Sequence, residues 1–472
     1  MVKRERKAGT ARSGPGSERL SDQDIRLEVC RLLREWEDDP QELEPLIDRF
    51  LGKLKQGCNP VQASLFTSLS TGVVRQRRRL DHFIDRLQRR PRKVKPKIKI
   101  ILRLGLFELE EECRPAYAIV SETVNLARRM APGSEGFVNG ILRSFLREGA
   151  EKLLPAENPA EPDSLGIRWS LPTWLVESWL KDYGSEKAVQ LCHRANLFTG
   201  TCFRVNRIRL SREDFIRGWQ ERDRDCSFTL GNYGEQAFST SQAARLLASD
   251  WFREGLLSVQ DEGAQLISEL LAPQPGELIL DACAAPGGKS THLAELSGDR
   301  ARIIALDRDR KRLPLIGENA RRLGLEAITS AACDLAKPLP DEFARAYDAI
   351  LIDAPCSGLG IIRRRADLRW RKSPEESCKL RTIQLQILEN CSRYLKKGGR
   401  LVYATCTTRR RENQEVLSRF MERNDDFRLE TGTELEKEKA GRLLNREGFL
   451  ETAFLPESTM DGFFAARLRK TT

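Results

Sequence analysis

Apolar and polar positions alternate with a helical period over the first third of the chain. Apolar residues recur every three to four positions in a series of stretches between residues 21 and 150. These stretches span residues 22–36, 45–56, 60–80, 80–90, 97–110, 116–130 and 136–147. We therefore expect an all-α domain over residues 21–150. The basic, Gly- and Ser-rich residues 1–20 offer little apolar surface to bury, so we expect a disordered tail there.

The pattern changes in the second half, where short apolar runs alternate with helical stretches from residue 238 onward. The predicted strands are 278–281, 302–306, 329–332, 349–352 and 400–403, with a last strand in the hairpin-like segment 461–468. Helices are predicted at 291–296 and 308–323. Such alternation indicates a doubly wound parallel sheet, and therefore a Rossmann-like domain over residues 238–472.

A shorter region separates these two domains. Its first part, 151–165, contains three prolines and is typical of a linker. Helical patterns at 172–182, 185–195 and 211–220 and a strand at 201–206 then predict a small α/β connecting domain over 166–237. Trp174 and Trp179 share one helix face, which favours packing in a core over stacking on nucleic-acid bases.

The composition of the chain indicates an anionic binding partner. The 472 residues are too many for one core, and the net charge of +11 favours binding to a polyanion. The 12 cysteines include no C-x-x-C pair and no histidine at zinc spacing, so we expect no metal site. Free thiols are typical of a reducing cytoplasm, and neither a membrane-spanning run nor a signal peptide is visible.

Two cysteines follow buried strands in the second half. Cys356 stands in the segment Asp-Ala-Pro-Cys-Ser-Gly after strand 349–352, and Cys406 in Ala-Thr-Cys-Thr after strand 400–403. Ligands bind at the carboxyl ends of such strands, so both thiols are expected to face one pocket. Thiolates are strong nucleophiles and competent bases, which suits a reaction that forms a covalent adduct and then resolves it.

A loop of small residues precedes these cysteines and predicts a cofactor site. It follows strand 278–281 and is neither a dinucleotide fingerprint nor a P-loop. Asp307 ends the second strand, where an acid accepts hydrogen bonds from a ribose, and Asp334 follows the third. A carboxylate that can bind a ribose, without a motif that binds pyrophosphate, favours S-adenosylmethionine over NAD as the cofactor. The predicted loop residues are Cys283, Ala284, Ala285, Pro286, Gly287, Gly288 and Lys289.

These motifs resemble those of the Sun/Nop-type RNA cytosine-5 methyltransferases. The resemblance is carried by residues 281–289, 353–358 and 405–406, and extends to 203–206, 259–261, 361–370, 398–399, 412–413 and 461–464. With residues 138–143 included, it is closest to the bacterial small-subunit ribosomal RNA enzymes that carry an N-terminal NusB-like domain. It therefore implies a NusB-like domain at 21–150 and methylation of cytosine C5 in 16S ribosomal RNA.

The assignment of the two thiols depends on the resemblance. A Pro-Cys dipeptide supplies the nucleophile in DNA cytosine-5 methyltransferases, which points to Cys356. The RNA family uses the Thr-Cys cysteine, which points to Cys406, and Cys356 then assists removal of the C5 proton and product release. The resemblance also places Asp353 near both cytosine and cofactor. Lys289 either lowers the pKa of a thiol through its charge or closes the loop against an acid.

Basic clusters predict RNA contacts in two places. The segment 71–103 carries 13 Lys or Arg against two acids, and we expect Arg77, Arg78 and Arg79 to contact RNA phosphates. Arg363 and Arg364 follow the Cys356 loop, where guanidinium groups suit phosphates or unstacked bases.

The sequence leaves three functions open. The first is a monomeric 16S ribosomal RNA cytosine-5 methyltransferase, acting on free RNA or on a partial small subunit. The second is a transfer RNA cytosine-5 methyltransferase, which the catalytic domain alone permits. The third is a non-catalytic RNA-binding factor, since NusB-like regions have that role by themselves. The intact loop and both cysteines argue against the third.

Overall fold

The computed structural model describes residues 20–54, 57–88, 93–197, 199–436 and 438–471. The predicted disordered tail lies outside the described residues, apart from residue 20, and so do the predicted helix ends at 55–56 and 89–90. The chain divides into two compact units. The first comprises Met1–Asn158, Ser164–Leu171 and Arg365–Asp367, and the second comprises Pro159–Asp163, Pro172–Arg364 and Leu368–Thr472.

The first unit is helical, as predicted. Side-chain caps begin several of its helices: Ser21 accepts a hydrogen bond from the backbone N–H of Asp24, and Asn59 accepts one from Gln62. Trp36 and Phe83 are among its fully buried side chains. The helices are α1 (Asp22–Asp38), α2 (Leu43–Leu54), α3 (Pro60–Arg75), α4 (Arg77–Leu87), α5 (Pro96–Glu110), α6 (Ala116–Met130), α7 (Glu135–Glu148), α8 (Ala150–Leu153) and, from residue 164 onward, α9 (Pro162–Arg168).

The predicted linker contains structure. Most of helix α8 and the start of α9 fall within residues 151–165, where we expected an irregular connection. Leu153 and Leu165 are buried, and their burial offsets the cost of ordering the segment. Pro162 occupies the first position of α9, where a missing N–H costs nothing.

The second unit begins with a connecting region built on a small antiparallel sheet. Its strands lie in the order β2-β3-β1-β4, so the sheet runs past residue 237, where we expected the region to end. An aromatic cluster that includes Phe203, Phe215 and Phe238 fills its core, and Trp179 is buried as expected. The elements are α10 (Thr173–Arg194), β1 (Thr201–Val205), α11 (Arg212–Arg222), β2 (Thr229–Leu230), β3 (Ala237–Thr240), α12 (Ala243–Leu247), α13 (Asp250–Arg253) and β4 (Leu257–Val259).

The remainder of the second unit is a mixed sheet with helices on both faces. Its helices are α14 (Glu262–Leu271), α15 (Gly288–Leu296), α16 (Leu313–Leu323), α17 (Leu368–Arg371), α18 (Pro374–Ser392) and α19 (Gln414–Met421). Its strands are β5 (Leu278–Ala282), β6 (Arg302–Asp307), β7 (Ile328–Ala332), β8 (Tyr347–Asp353), β9 (Leu395–Thr405), β10 (Phe427–Leu429), β11 (Phe449–Glu451) and β12 (Phe464–Lys470).

Strand order decides where the loops of this sheet meet. The order is β10-β12-β9-β8-β5-β6-β7, with β11 beside β12. Strands β9, β8, β5, β6 and β7 are parallel, whereas β12 runs antiparallel to β9. Neighbouring residues on a strand point to opposite cores: Ile279 and Val402 to one, Leu280 and Leu401 to the other. The predicted doubly wound, Rossmann-like fold is confirmed. None of the described helices is long and apolar enough to cross a membrane.

Candidate active site

A cavity of about 340 Å³ opens at the carboxyl ends of the parallel strands. It collects residues from the loops after β5, β6, β7, β8 and β9, which are neighbours in the sheet. Among the predicted site residues, those that line it are Cys283, Ala285, Asp307, Asp334, Asp353, Cys356 and Cys406. Sequence reasoning missed other lining residues, among them Arg308, Arg312, Ile383 and Ile387.

The two cysteines touch across adjacent strands. Asp353 at the end of β8 pairs with Ala404 near the end of β9, so the chain places both thiols just beyond the same level of the sheet. The sulfur atoms are 3.1 Å apart, and the backbone N–H of Cys406 lies 3.3 Å from the Cys356 sulfur. Both cysteines are free. The hydrogen bond to Cys406, together with burial, raises the pKa of Cys356 well above its usual value, which favours the protonated thiol at Cys356.

Glu412 holds the Cys356 loop. Its carboxylate is fully buried and accepts hydrogen bonds from the backbone N–H of Ser357 at 2.8 Å, from the Ser357 hydroxyl at 2.7 Å and from the Ser377 hydroxyl at 2.7 Å. Because Ser357 is the next residue after Cys356, these bonds restrict where the Cys356 sulfur can lie. The sequence pattern around Glu412 gave no indication of this role.

Asn413 holds the Cys406 loop from the other side. Its side-chain oxygen accepts a hydrogen bond from Thr405 at 2.6 Å, and its amide donates to the carbonyl of Thr407 at 2.9 Å. The two residues that flank Cys406 are therefore fixed by one side chain. Glu412 and Asn413 are consecutive, so one short turn braces both thiol loops.

Lys289 is paired with Asp353 beneath the thiols. The Lys289 ammonium lies 2.6 Å from a carboxylate oxygen of Asp353. Burial opposes the charge of Lys289, but attraction to Asp353 and to Cys406 outweighs burial and raises the pKa of the ammonium. Of the two roles expected for Lys289, closing the loop against an acid is the contact that the structure contains.

The loop after β5 bends tightly around the end of β6. Cys283 and Gly287 have positive φ angles of 63° and 97°, and a Cβ on Gly287 would lie 3.0 Å from the Cα of Ile316. Both carboxylate oxygens of Asp307 accept backbone hydrogen bonds, from Ala285 at 2.9 Å and from Asp309 at 2.8 Å. Asp307 therefore shapes the loop as well as facing the cavity.

Asp281 is a buried acid behind this loop. One of its oxygens accepts a hydrogen bond from the Ser290 hydroxyl, and the other has no partner among the described residues. Burial raises the pKa of Asp281 to about 7. Asp281 is two residues before Cys283, which lines the cavity.

Arg204 joins the connecting region to the same loop, a role that sequence reasoning missed. It is fully buried, forms an ion pair with Glu295 at 2.6 Å, and donates to the carbonyl of Gly288 at 3.1 Å. Gln260 donates to the same carbonyl at 3.2 Å. The sequence did contain one signal of this role, which is an arginine inside an apolar strand. A charge in such a position is buried only when it has a partner of opposite charge.

Arg363 and Arg364 bind acids of their own chain. Arg364 lies 2.8 Å from Asp461 and 3.1 Å from Asp261, and Arg363 contacts the same two acids. The Arg363 side chain is 6% exposed and that of Arg364 32%. Burial and the charge of Asp461 raise the pKa of Asp261 to about 6. The predicted RNA contact of these arginines stays a prediction, and the structure gives both a role in joining segments of the second unit.

Arg77, Arg78 and Arg79 also have partners within their own unit. The Arg77 guanidinium lies 5.6 Å from the centre of the Trp36 ring, Arg78 donates to the carbonyl of Leu171 at 2.5 Å, and Arg79 to Glu110 at 2.7 Å. Their predicted contact with RNA phosphates stays a prediction.

The cavity suits a cofactor that carries positive charge and a ribose. Asp307, Asp334 and Asp353 offer carboxylates, and the twisted loop offers backbone groups. S-adenosylmethionine presents a sulfonium, an ammonium and a ribose diol, which these groups can bind. Among the described residues, no cluster of His, Cys, Asp or Glu has the arrangement of a metal site.

Comparisons with known proteins agree with this architecture. The model of the family described as 16S rRNA methyltransferase RsmB/F matches residues 268–469, that of the NusB family matches residues 23–147, and that of an RsmF/B-like ferredoxin-like domain matches residues 171–242. The first unit is thus NusB-like, and the connecting region is ferredoxin-like.

Full-length relatives extend the match to most of the chain. The chain is 36% identical to a probable ribosomal RNA small subunit methyltransferase B of Bacillus subtilis, covering 86% of this chain and 90% of the relative. It is 34% identical to ribosomal RNA small subunit methyltransferase B of Escherichia coli, covering 90% and 94%.

Solved structures share the fold. The crystal structure of PH0851 superposes with a TM-score of 0.72 at 23% identity, covering 96% of this chain and 99% of that protein. A methyltransferase homologue from Pyrococcus horikoshii superposes with a TM-score of 0.55 at 26% identity, covering 66% and 99%. The pair of thiols and the tightly bent loop after β5 are consistent with the family match and with the full-length relatives. The chain belongs to the RsmB/F family of ribosomal RNA small subunit methyltransferases.

Proposed function

We propose that this protein transfers a methyl group from S-adenosylmethionine to C5 of a cytosine in 16S ribosomal RNA. The observation that carries the proposal is the pair of free thiols, 3.1 Å apart, at the mouth of one cavity on neighbouring strand ends. Relatives named for methylation of small-subunit ribosomal RNA support the substrate class. The NusB-like unit supports an RNA substrate.

The cofactor would lie along the loop after β5. Bound S-adenosylmethionine supplies an electrophilic methyl group. Asp307 would accept hydrogen bonds from the ribose, as an acid at the end of the second strand does in this class of fold. Asp334 would lie toward the adenine, and residues 283–289 would surround the methionine end. The loop curvature set by Gly287 keeps backbone groups close to this space.

Cys406 is the nucleophile in this proposal. Cytosine C5 is too weak a nucleophile by itself, so the Cys406 thiolate adds to C6, forming a C6–S bond and placing electron density on C5. C5 would then take the methyl group as the bond between that group and the cofactor sulfur breaks, which leaves a neutral thioether. The two sulfur atoms are 3.1 Å apart, so a Cys356 thiol of raised pKa would donate a hydrogen bond to the Cys406 thiolate. In this proposal Cys356 is the donor and Cys406 the acceptor, an arrangement that suits Cys406 as the attacking group.

Cys356 completes the cycle. Once the Cys406 sulfur is bonded to C6, Cys356 loses its acceptor, and after releasing its own proton to water it is a base of raised pKa beside the adduct. It takes the proton from C5, the C6–S bond breaks, and the electron pair of the C–H bond restores the aromatic ring. Cys406 leaves as a thiolate and the methylated RNA is released.

Asp353 and Lys289 would hold the base. Asp353 lines the cavity beside both cysteines, and its pairing with Lys289 keeps its carboxylate in place. From there it would accept a hydrogen bond from the exocyclic amine of cytosine. The target base must leave its helix to reach this depth.

Bisulfite sequencing tests the proposal. The purified protein, S-adenosylmethionine and unmodified 16S ribosomal RNA should yield one protected cytosine, whether the RNA is free or part of a partial small subunit. Transfer RNA in a parallel reaction distinguishes the alternative substrate. Methylation of transfer RNA alone would replace the substrate in this proposal. Binding of RNA without transfer to either substrate would indicate a non-catalytic factor.

A further inference from the structure

A second large cavity lies in the NusB-like unit. Its volume is about 610 Å³, which is within the range of small-ligand sites. The walls are residues 93–98 at the start of α5 and residues 130–134 between α6 and α7, together with Arg34 and Phe137. All of these residues belong to the first unit.

The rim of this cavity is cationic. Lys93, Lys95 and Lys97 line it, and all three are exposed. No acidic side chain is among the lining residues, and within the described chain no carboxylate lies within salt-bridge distance of these three lysines. Arg34 also lines the cavity but donates to Asp38 at 2.9 Å. The three lysines therefore differ from Arg77, Arg78 and Arg79, whose guanidinium groups contact their own unit.

The floor of the cavity is apolar. Val94, Ile98, Met130 and Phe137 line it and are half-buried, and Pro132 adds an exposed ring. An inorganic anion gains nothing from such a surface. A nucleotide has both a flat base that can pack on apolar side chains and phosphates that attract lysines.

We infer that this cavity binds one unpaired nucleotide of the RNA substrate, with its base on the apolar floor and its flanking phosphates near Lys93, Lys95 and Lys97. The inference rests on the proposed function, since that function supplies the RNA. An unpaired nucleotide is required because a base stacked within a helix cannot enter. In that case the RNA phosphate contacts expected of the segment 71–103 would be made by Lys93, Lys95 and Lys97.

Paired substitutions in the full-length protein test the inference. Lys95→Gln/Lys97→Gln should weaken binding of a single-stranded 16S ribosomal RNA fragment several-fold, measured by fluorescence anisotropy without cofactor. The dependence of log affinity on log salt should become shallower by about 1.4, at roughly 0.7 for each single-strand phosphate that no longer meets a lysine. Lys53→Gln/Lys152→Gln removes the same charge from exposed positions of the same unit and should bind as the unchanged protein does.

A second measurement needs no substitution. Acetylation of the unchanged protein, read by mass spectrometry, should slow at Lys93, Lys95 and Lys97 when RNA is bound, but not at Lys53 or Lys152. Met130→Ala tests the floor: it should lower affinity for single-stranded RNA and leave the salt dependence as it was.

Three outcomes would overturn the inference: unchanged affinity and salt dependence in Lys95→Gln/Lys97→Gln, equal losses in both lysine pairs, or no protection of the cavity lysines. If the RNA is methylated while these lysines stay unprotected, the nucleotide site is ruled out and the proposed function stands. If RNA protects the lysines but is never methylated, the nucleotide site stands and the proposed function is ruled out.

Discussion

At the scale of single residues, the proposed roles of Cys356 and Cys406 predict different failures when each thiol is removed. Cys406→Ala should form no adduct and transfer no methyl group. Cys356→Ala retains the proposed nucleophile but lacks the group proposed to permit release, so it should accumulate a protein–RNA species that survives denaturing electrophoresis. Both variants are incubated with RNA and cofactor and run on one gel.

The double variant Cys356→Ala/Cys406→Ala is the control and should give no shifted band. A trapped species from Cys406→Ala, with none from Cys356→Ala, would exchange the two roles and favour the Pro-Cys arrangement of the DNA enzymes.

Asp281 predicts a pH dependence of stability. Its folded pKa is raised to about 7 by burial, whereas an unfolded Asp titrates near roughly 3.9. Between these values the folded state holds a proton that the unfolded state has lost. The free energy of unfolding should therefore fall as the pH rises through this window, by up to about 1.4 kcal/mol per pH unit from this group, and level off above it.

The Asn side chain of Asp281→Asn cannot ionise. The melting temperature of the variant minus that of the unchanged protein should therefore be larger at about pH 7.5 than at about pH 5. Differential scanning calorimetry at both values measures the gain. Asp341→Asn, an exposed acid of the same sheet domain, is the matched control. Parallel melting curves for Asp281→Asn and the unchanged protein would contradict a raised pKa at Asp281.

At the scale of elements, one short turn braces both thiol loops. Glu412→Ala would leave the buried Ser357 and Ser377 donors without an acceptor, at about 1–3 kcal/mol for each unsatisfied group. The Cys356 sulfur would then move relative to Cys406. We expect kcat to fall by about 10²-fold, while KM for RNA and cofactor changes little.

Glu412→Gln keeps an acceptor oxygen and should recover part of kcat. Asn413→Ala acts on the Cys406 loop through Thr405 and Thr407 and should also lower kcat. Steady-state kinetics with both substrates varied distinguishes the outcomes. A rise in KM with kcat unchanged would place the turn in substrate binding rather than in positioning.

At the scale of the second unit, a buried ion pair couples the ferredoxin-like region to the methyltransferase sheet. Arg204→Leu leaves Glu295 buried without its partner, which costs about 3–5 kcal/mol of stability. The double variant Arg204→Leu/Glu295→Leu removes both charges and should be less destabilised than the sum of the two single variants.

Chemical denaturation followed by tryptophan fluorescence measures all four members of this cycle. Additive losses would mean that Arg204 acts through Gln260, Thr291 and the carbonyl of Gly288 rather than through Glu295.

Local pattern was enough for many of the elements and for the place of the two strand-end cysteines. Helices such as α6 begin and end where the periodicity predicted, because amphipathic spacing is a property of neighbouring residues. Cys356 and Cys406 could be assigned to one pocket from sequence, since parallel strands carry their ligands at one edge.

Tertiary structure alone decided which charges face solvent and where the regions divide. A run of arginines looks the same whether its charges meet RNA or buried acids, and only packing brought Asp261 and Asp461 to Arg363 and Arg364. The same holds for the bracing by Glu412 and for the strand partners of β3 and β4, which extend the small sheet past residue 237. Periodicity encodes the faces of an element, whereas its partners come from chain segments tens to hundreds of residues away, and no local pattern specifies them.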